Sequence, residues 1–252
     1  MKTWLLAAVS LVALGAIAPA DAADMPLYKA PAAPVLAYDW TGVYVGINGG
    51  GGWAHACWAV TNAVGVPVDP AAGEGCHNAG GGTVGGQLGY RWQKGRWVLG
   101  IEGQGNWAEF KGSNVSVLLA PLVNQTKIDS FGLITGQMGY AVNNLLLYGK
   151  AGAAVAHDKY DTFIPGAPAV ATFNTVNQTR WGYAIGIGVE WGFADNWSVG
   201  GEYNHAFLGH HGGDFATLVG GFAAHTDRIG QDIDIGLIRI NYRWGNPIVA
   251  KY

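Results

Sequence analysis

The sequence predicts an all-β fold: eight antiparallel strands closed into a transmembrane up-and-down β-barrel, with short periplasmic turns and long extracellular loops. Three observations lead there. Gly accounts for 41 of 252 residues, while charged residues make up only 12% and hydrophobic residues 50%. From Trp40 onward apolar residues recur with period two. The alternating segments also outrun the five or six residues usual in soluble strands. Each Gly costs about 1 kcal/mol relative to Ala in a helix, which disfavours a largely helical chain. A net charge of -3 with 14 Lys+Arg gives no basic field for nucleic acid. High hydrophobicity with little charge excludes disorder.

Residues 1–22 read as a secretory signal peptide. Lys2 supplies positive charge, Trp4 to Ile17 form an apolar run, and Ala20-Asp21-Ala22 offers small residues at the cleavage positions. Residues 23–39 carry Pro26, Pro31 and Pro34 and read as an extended periplasmic linker. The barrel is expected over 40–244, followed by a tail at 245–252.

Eight alternating segments lie near 41–53, 83–93, 96–110, 129–142, 145–160, 180–193, 197–208 and 229–244. The clearest runs from Arg180 to Phe193. One face carries Trp181, Tyr183, Ile185, Ile187, Val189, Trp191 and Phe193, and the other is largely Gly and Ala with Arg180 and Glu190. Short turns are expected at Lys94-Gly95, Asn143-Asn144 and around Asp195, because Gly and Asn tolerate positive φ. Long loops are expected at 54–82, 111–127, 161–178 and 209–227. A turn at Lys94-Gly95 sets Trp92 opposite Trp97. A turn at Asn143-Asn144 sets Tyr140 opposite Leu147. The third hairpin sets Ile187 opposite Tyr203. Each pairing sorts apolar with apolar, as cross-strand contacts require.

The aromatic face is too bulky for an eight-stranded interior, which side chains only just fill. The small and polar face fits it, so the apolar face needs lipid. Arg91, Glu102, Lys150, Arg180, Glu190, Glu202 and Arg239 then point inward as a lumen charge network, since interior charges need partners. Trp92, Trp97, Tyr140, Trp191, Trp197, Tyr242 and Trp244 form an aromatic girdle at the short-turn end, and Trp53, Trp107 and Trp181 lie toward the loops. On this assignment Ile187→Arg is costly and Gly186→Ser mild. One segment conflicts: Asp232 and Asp234 have the opposite parity to Arg239 and Arg243. Either a β-bulge near Gly236 or a strand rising above the bilayer reconciles them.

With the strands laid out, the chain resembles the small outer-membrane immunogenic, porin-like proteins of alphaproteobacteria, within the outer-membrane protein A-like eight-stranded barrels. The residues that carry this are Ala23-Asp24-Met25-Pro26, Asp39-Trp40-Thr41-Gly42-Val43-Tyr44-Val45-Gly46 and Gly136-Gln137-Met138-Gly139-Tyr140-Ala141. Further matches are Tyr148-Gly149-Lys150-Ala151-Gly152, Gly188-Val189-Glu190-Trp191-Gly192-Phe193 and Arg239-Ile240-Asn241-Tyr242-Arg243-Trp244. The resemblance implies an outer-membrane location, contact with membrane lipid and lipopolysaccharide, and assembly by the barrel-insertion machinery. It also makes Tyr242 and Trp244 the C-terminal assembly signal. Gln137 stands where the family usually has Arg, and eight residues follow Trp244.

Gly80-x-Gly82-x-x-Gly85 matches a dinucleotide fingerprint as a string, but a strand rather than a helix follows it. Cys57 and Cys76, the only cysteines, read as a disulfide in an oxidising compartment. The flanking His55 and His77 match no standard zinc spacing, so neither a metal nor another cofactor is expected. No nucleophile–base constellation stands out, and no enzyme is expected. The composite expectation is a structural and surface-antigen barrel with a lumen mostly filled by side chains. The alternatives are a narrow porin for ions or very small solutes and a loop-mediated adhesin or receptor. Oligomeric state is left open.

Overall fold

The computed structural model describes residues 38–63, 65–118, 120–166, 175–215 and 225–245. The expected signal segment, nearly all of the linker and nearly all of the tail lie outside these residues. Eight strands follow in order: β1 Gly42–Ala63, β2 Val66–Lys94, β3 Trp97–Val115, β4 Val123–Val142, β5 Leu145–Phe163, β6 Val176–Ala194, β7 Trp197–Phe215 and β8 His225–Trp244. Each pairs antiparallel with its chain neighbours, and β1 pairs with β8 to close the ring. Closure leaves no lateral edge with unpaired backbone groups, the condition lipid imposes on strands.

The hairpins at the short-turn end set the register. The Asn143-Asn144 turn holds Tyr140 opposite Leu147, with Asn143 at φ 54°. Ile187 faces Tyr203 in the third hairpin, where a bulge between Gly192 and Ala194 leaves Phe193 out of the pairing. The first hairpin corrects the sequence reading: Lys94 pairs with Trp97, so Trp92 faces Leu99 rather than Trp97. Gly95, at φ 64°, is the first loop residue and Arg96 the second. Moving a turn by one residue moves the pairing by two, so every side chain keeps its face.

The larger correction concerns the loops. The stretches 54–82 and 111–127 are mostly paired strand, and β5 to β8 likewise run on into 161–178 and 209–227. Alternation of apolar residues does not mark these extensions, because their outer face is no longer apolar. β5 alone has 19 residues. At about 3.3 Å per residue and about 40° of tilt this spans about 45 Å, well beyond a bilayer core.

Two storeys result. From Trp97 to Trp107 the outer face of β3 is Trp, Leu, Ile and Gly, a height of about 25 Å that matches an outer-membrane apolar band. Trp92, Trp97, Trp191, Trp197 and Trp244 are exposed at its lower rim, and Trp53, Trp107 and Trp181 at its upper rim. Tyr140 lies at the lower rim with its edge toward Trp97, and half-buried Tyr242 meets Trp197 there. Above the upper rim the outer face becomes charged. Lys127 and Lys159 both pair with Asp129, at 2.8 and 2.7 Å, and Lys111 pairs with Glu109 at 2.6 Å.

β8 shows the same change within one strand. Ile229, Ile233, Ile235, Leu237, Arg239, Asn241 and Arg243 all face inward, and Asp232 and Asp234 face outward. Gly236 pairs without interruption with both Gly51 and Tyr203, so no bulge lies there. The strand passes above the lipid, and its carboxylates face water, where Asp234 sits 2.7 Å from His205.

Candidate functional site

The inner wall of the lower storey holds a closed set of charges. Arg239 makes ion pairs with both Glu102 and Glu202. Lys150 Nζ lies 2.6 Å from Glu202 and 3.2 Å from Glu102. Arg91 reaches Glu190 at 3.0 Å. Three carboxylates thus face three cations, and all six side chains are buried. Removing this many charges from water is tolerable only with such pairing and with further hydrogen bonds. Tyr44 Oη donates to Glu102 at 2.7 Å, Tyr148 Oη donates to Glu202 at 2.6 Å, and Asn241 donates to Glu190 at 2.9 Å. The Arg91 guanidinium also lies over the Tyr44 ring, 4.4 Å from its centroid, in cation–π contact.

Inward Gly makes this filling possible. A Cβ on Gly188 would lie 2.8 Å from Tyr148 Cε1, and one on Gly100 would lie 2.8 Å from Arg91 Cγ. The space those residues leave is therefore occupied by rings and guanidinium groups. Gly186→Ser is not mild: its Cβ would fall on Asn204 Oδ1 and 2.8 Å from the Tyr203 carbonyl oxygen.

Arg180, expected in the same network, belongs to a separate cluster higher in the barrel. It lies 3.7 Å from Asp158 and 5.4 Å from the Tyr160 ring centroid. Tyr160 Oη donates to Gln231 at 2.7 Å. Between the two polar tiers sits an apolar layer built from Phe110, Ile128, Phe131, Leu133, Leu208, Ile233, Ile235 and Leu237. Below the lower tier a second apolar layer closes the periplasmic mouth. Tyr38, which the sequence reading leaves in the linker, is buried there with Trp40, Val98, Ala141 and Leu146. Arg243 fixes this segment by donating to the Thr41 carbonyl at 2.8 Å, with its guanidinium over the Tyr38 ring.

Cys57 and Cys76 form a disulfide between directly paired residues of β1 and β2, not within a loop. His55, Cys57 and Cys76 lie close enough together to suggest a metal centre, but both sulfurs are bonded to one another.

Sequence reasoning missed Tyr44, Tyr148 and Asp158 as members of the inner networks. The available signal was parity: Tyr44 shares its face with Gly46 and Asn48, and Tyr148 shares its face with Lys150. The chemistry follows from the enclosure. Every carboxylate of the lower tier is held by a cation, between two apolar layers.

A family model described as "Outer membrane protein beta-barrel domain" matches residues 5–230. The chain belongs to this outer-membrane β-barrel family. It is 31% identical over 225 residues to the 31 kDa outer-membrane immunogenic protein of Brucella melitensis, covering 83% of this chain and 88% of that protein. It is 28% identical over 191 residues to the 22 kDa outer membrane protein of Rhizobium leguminosarum, covering 68% and 81%. The crystal structure of the outer membrane protein OprG from Pseudomonas aeruginosa shares the fold, with a TM-score of 0.54 at 12% identity, covering 84% of this chain and 99% of that one. The protein is an integral outer-membrane barrel.

Proposed function

We propose that the protein is a non-enzymatic, non-conducting barrel that strengthens the envelope and presents its tall extracellular end as a surface antigen. The observation that carries this reading is the enclosure of the lower polar tier. Phe110, Phe131 and Ile235 lie above it, and Tyr38 and Trp40 lie below. Relatives named as immunogenic outer-membrane proteins support the antigen role and point away from catalysis. The paired aromatic rims and apolar band fit contact with outer-membrane lipid and lipopolysaccharide. Tyr242 and Trp244, at the end of the last strand, serve as the signal to the barrel-insertion machinery.

The test is planar-bilayer recording with folded, full-length protein. Wild type is expected to give no stepped conductance. Reproducible single-channel steps that vanish when the lumen is narrowed further would overturn the reading in favour of a porin. An adhesin reading would be favoured by cell binding that disappears when the extracellular tips are excised from a barrel that still folds.

A further inference from the structure

The Cys57–Cys76 disulfide has an imidazole beside one of its sulfurs. Cys57 and Cys76 lie on the outer face of β1 and β2, four residues beyond Trp53 along β1. At about 3.3 Å per residue, this is above the upper aromatic rim and in water. Cys76 is exposed and Cys57 half-buried. His55, also exposed, shares their face and brings Nε2 to 3.4 Å from Cys57 Sγ. Its other nitrogen, Nδ1, lies 2.8 Å from Asn78 Oδ1. An amide oxygen only accepts, so Nδ1 carries the proton and the ring is held with Nε2 toward the sulfur.

We propose that this disulfide is an exchange site for small thiols, with Cys76 as the sulfur attacked and Cys57 as the leaving group. A small thiol from solvent gives its proton to His55 Nε2 as its sulfur bonds to the exposed Cys76 Sγ, and the Cys57–Cys76 bond breaks. The electron pair leaves on Cys57 Sγ, beside the imidazolium so formed, and takes up the proton from Nε2. The proton lost by the attacking thiol thus ends on Cys57, and His55 returns to its starting tautomer. One sulfur–sulfur bond is broken and one formed, so no oxidant or reductant is consumed. Exchange is faster when the leaving thiol is the more stabilised thiolate, and a neighbouring imidazolium is a known means of stabilising one. Attack at Cys57 would instead expel Cys76, whose sulfur lies within 4.8 Å of the His55 ring nitrogen but, among the described residues, makes no hydrogen bond to it. The product carries a thiol-derived group on Cys76 at the extracellular side of the barrel, and Cys57 can reverse the step.

The experiment treats the folded, full-length protein in detergent with glutathione and maps the adduct by peptide mass spectrometry. The expected result is a mixed disulfide on Cys76 formed while the barrel retains its heat-modifiable gel mobility. His55→Ala should slow adduct formation about tenfold without changing that mobility. His55→Lys, which restores a cation beside Cys57, should recover part of the rate, a result that a merely structural role for His55 would not give. Three outcomes would overturn the proposal: no adduct on the folded barrel in excess glutathione, an adduct mainly on Cys57, or an unchanged rate in His55→Ala. None of these depends on whether the lumen conducts.

Discussion

The lower and upper storeys of this barrel are built from the same eight strands, yet their outer faces carry opposite chemistry. Below the upper aromatic rim the outside is Ile, Val, Leu and Trp, and the inside holds Glu102, Lys150, Glu190, Glu202 and Arg239. Above it the outside carries Lys111, Asp129, Lys159 and Asp232, and the inside begins with Phe110, Ile128, Phe131 and Ile233. The strands do not stop or swap places at the boundary, and β8 crosses it without a change of parity. What changes is the medium outside. Strand alternation supplies two faces, and lipid or water decides whether the outer one is apolar.

The comparison can be broken most sharply at Arg239. Arg239→Ala leaves the buried Glu102 and Glu202 with Lys150 as their remaining shared cation, and a loss of about 3–5 kcal/mol is expected. Urea unfolding in detergent, followed by heat-modifiable mobility, measures it. A loss as small as that of a surface ion pair would mean that the lower lumen is hydrated rather than filled.

The next test puts the same side chain on the same face of one strand in both storeys. Ile187→Arg, in the lipid-facing part of β6, should cost about 2–4 kcal/mol. Thr179→Arg lies eight residues away on that outward face but above the rim, and it should stay within about 0.5 kcal/mol. Equal costs would erase the boundary between the storeys.

The smallest effect concerns pH in the upper storey. Glu74 is buried there, its carboxyl accepting from Ser116 at 2.8 Å and Asn124 at 2.9 Å. Burial, and then the nearby Asp227 carboxylate, push it above its ordinary value. At low pH the group is protonated in folded and unfolded chains alike and costs nothing. As pH rises through the usual carboxylate range the folded state holds its proton longer, so stability falls until the raised value is passed. Glu74→Gln should therefore gain most relative to wild type at neutral pH, and the gain should disappear on acidification. Corrected hydrogen-exchange protection of the β3–β4 extension would follow this. Burial holds His77 toward its neutral form, an effect of opposite sign that both variants share. A pH-independent difference would sink the account.

The sequence made the lower storey legible because lipid imposes a strict rule on one face. Trp181 to Phe193 alternates so cleanly that strand, face and partner can be read together. The upper storey obeys a looser rule. Its outer face mixes Gly, Asn, His and Lys, its inner face mixes Ala with single large residues such as Trp58, and the alternation fades into what reads as loop. The Asp232 conflict was the one visible trace of the change of medium. Inner Gly was legible as small but not as occupied, because the rings that fill the space come from the strand paired across a long connection, whose register no short turn sets: Gly89 makes room for Tyr44, and Gly188 for Tyr148. The long connection between β5 and β6 likewise hid Asp158 as the partner of Arg180.

The seam of the ring lies between the first strand and the last. Val43 pairs with Trp244, and Ala63 at the far end of β1 pairs with His225. Trp40 and Tyr38, just ahead of β1, rest in a mouth pinned by Arg243. A chain that stops short of its final strand would therefore be incomplete in three ways at once. Two edges would face lipid with unpaired backbone groups, Glu102 and Glu202 would lack Arg239, and the periplasmic stopper would lose its clasp. The geometry makes completion nearly all-or-none, so the last twenty residues of the barrel act as a length check on the whole chain.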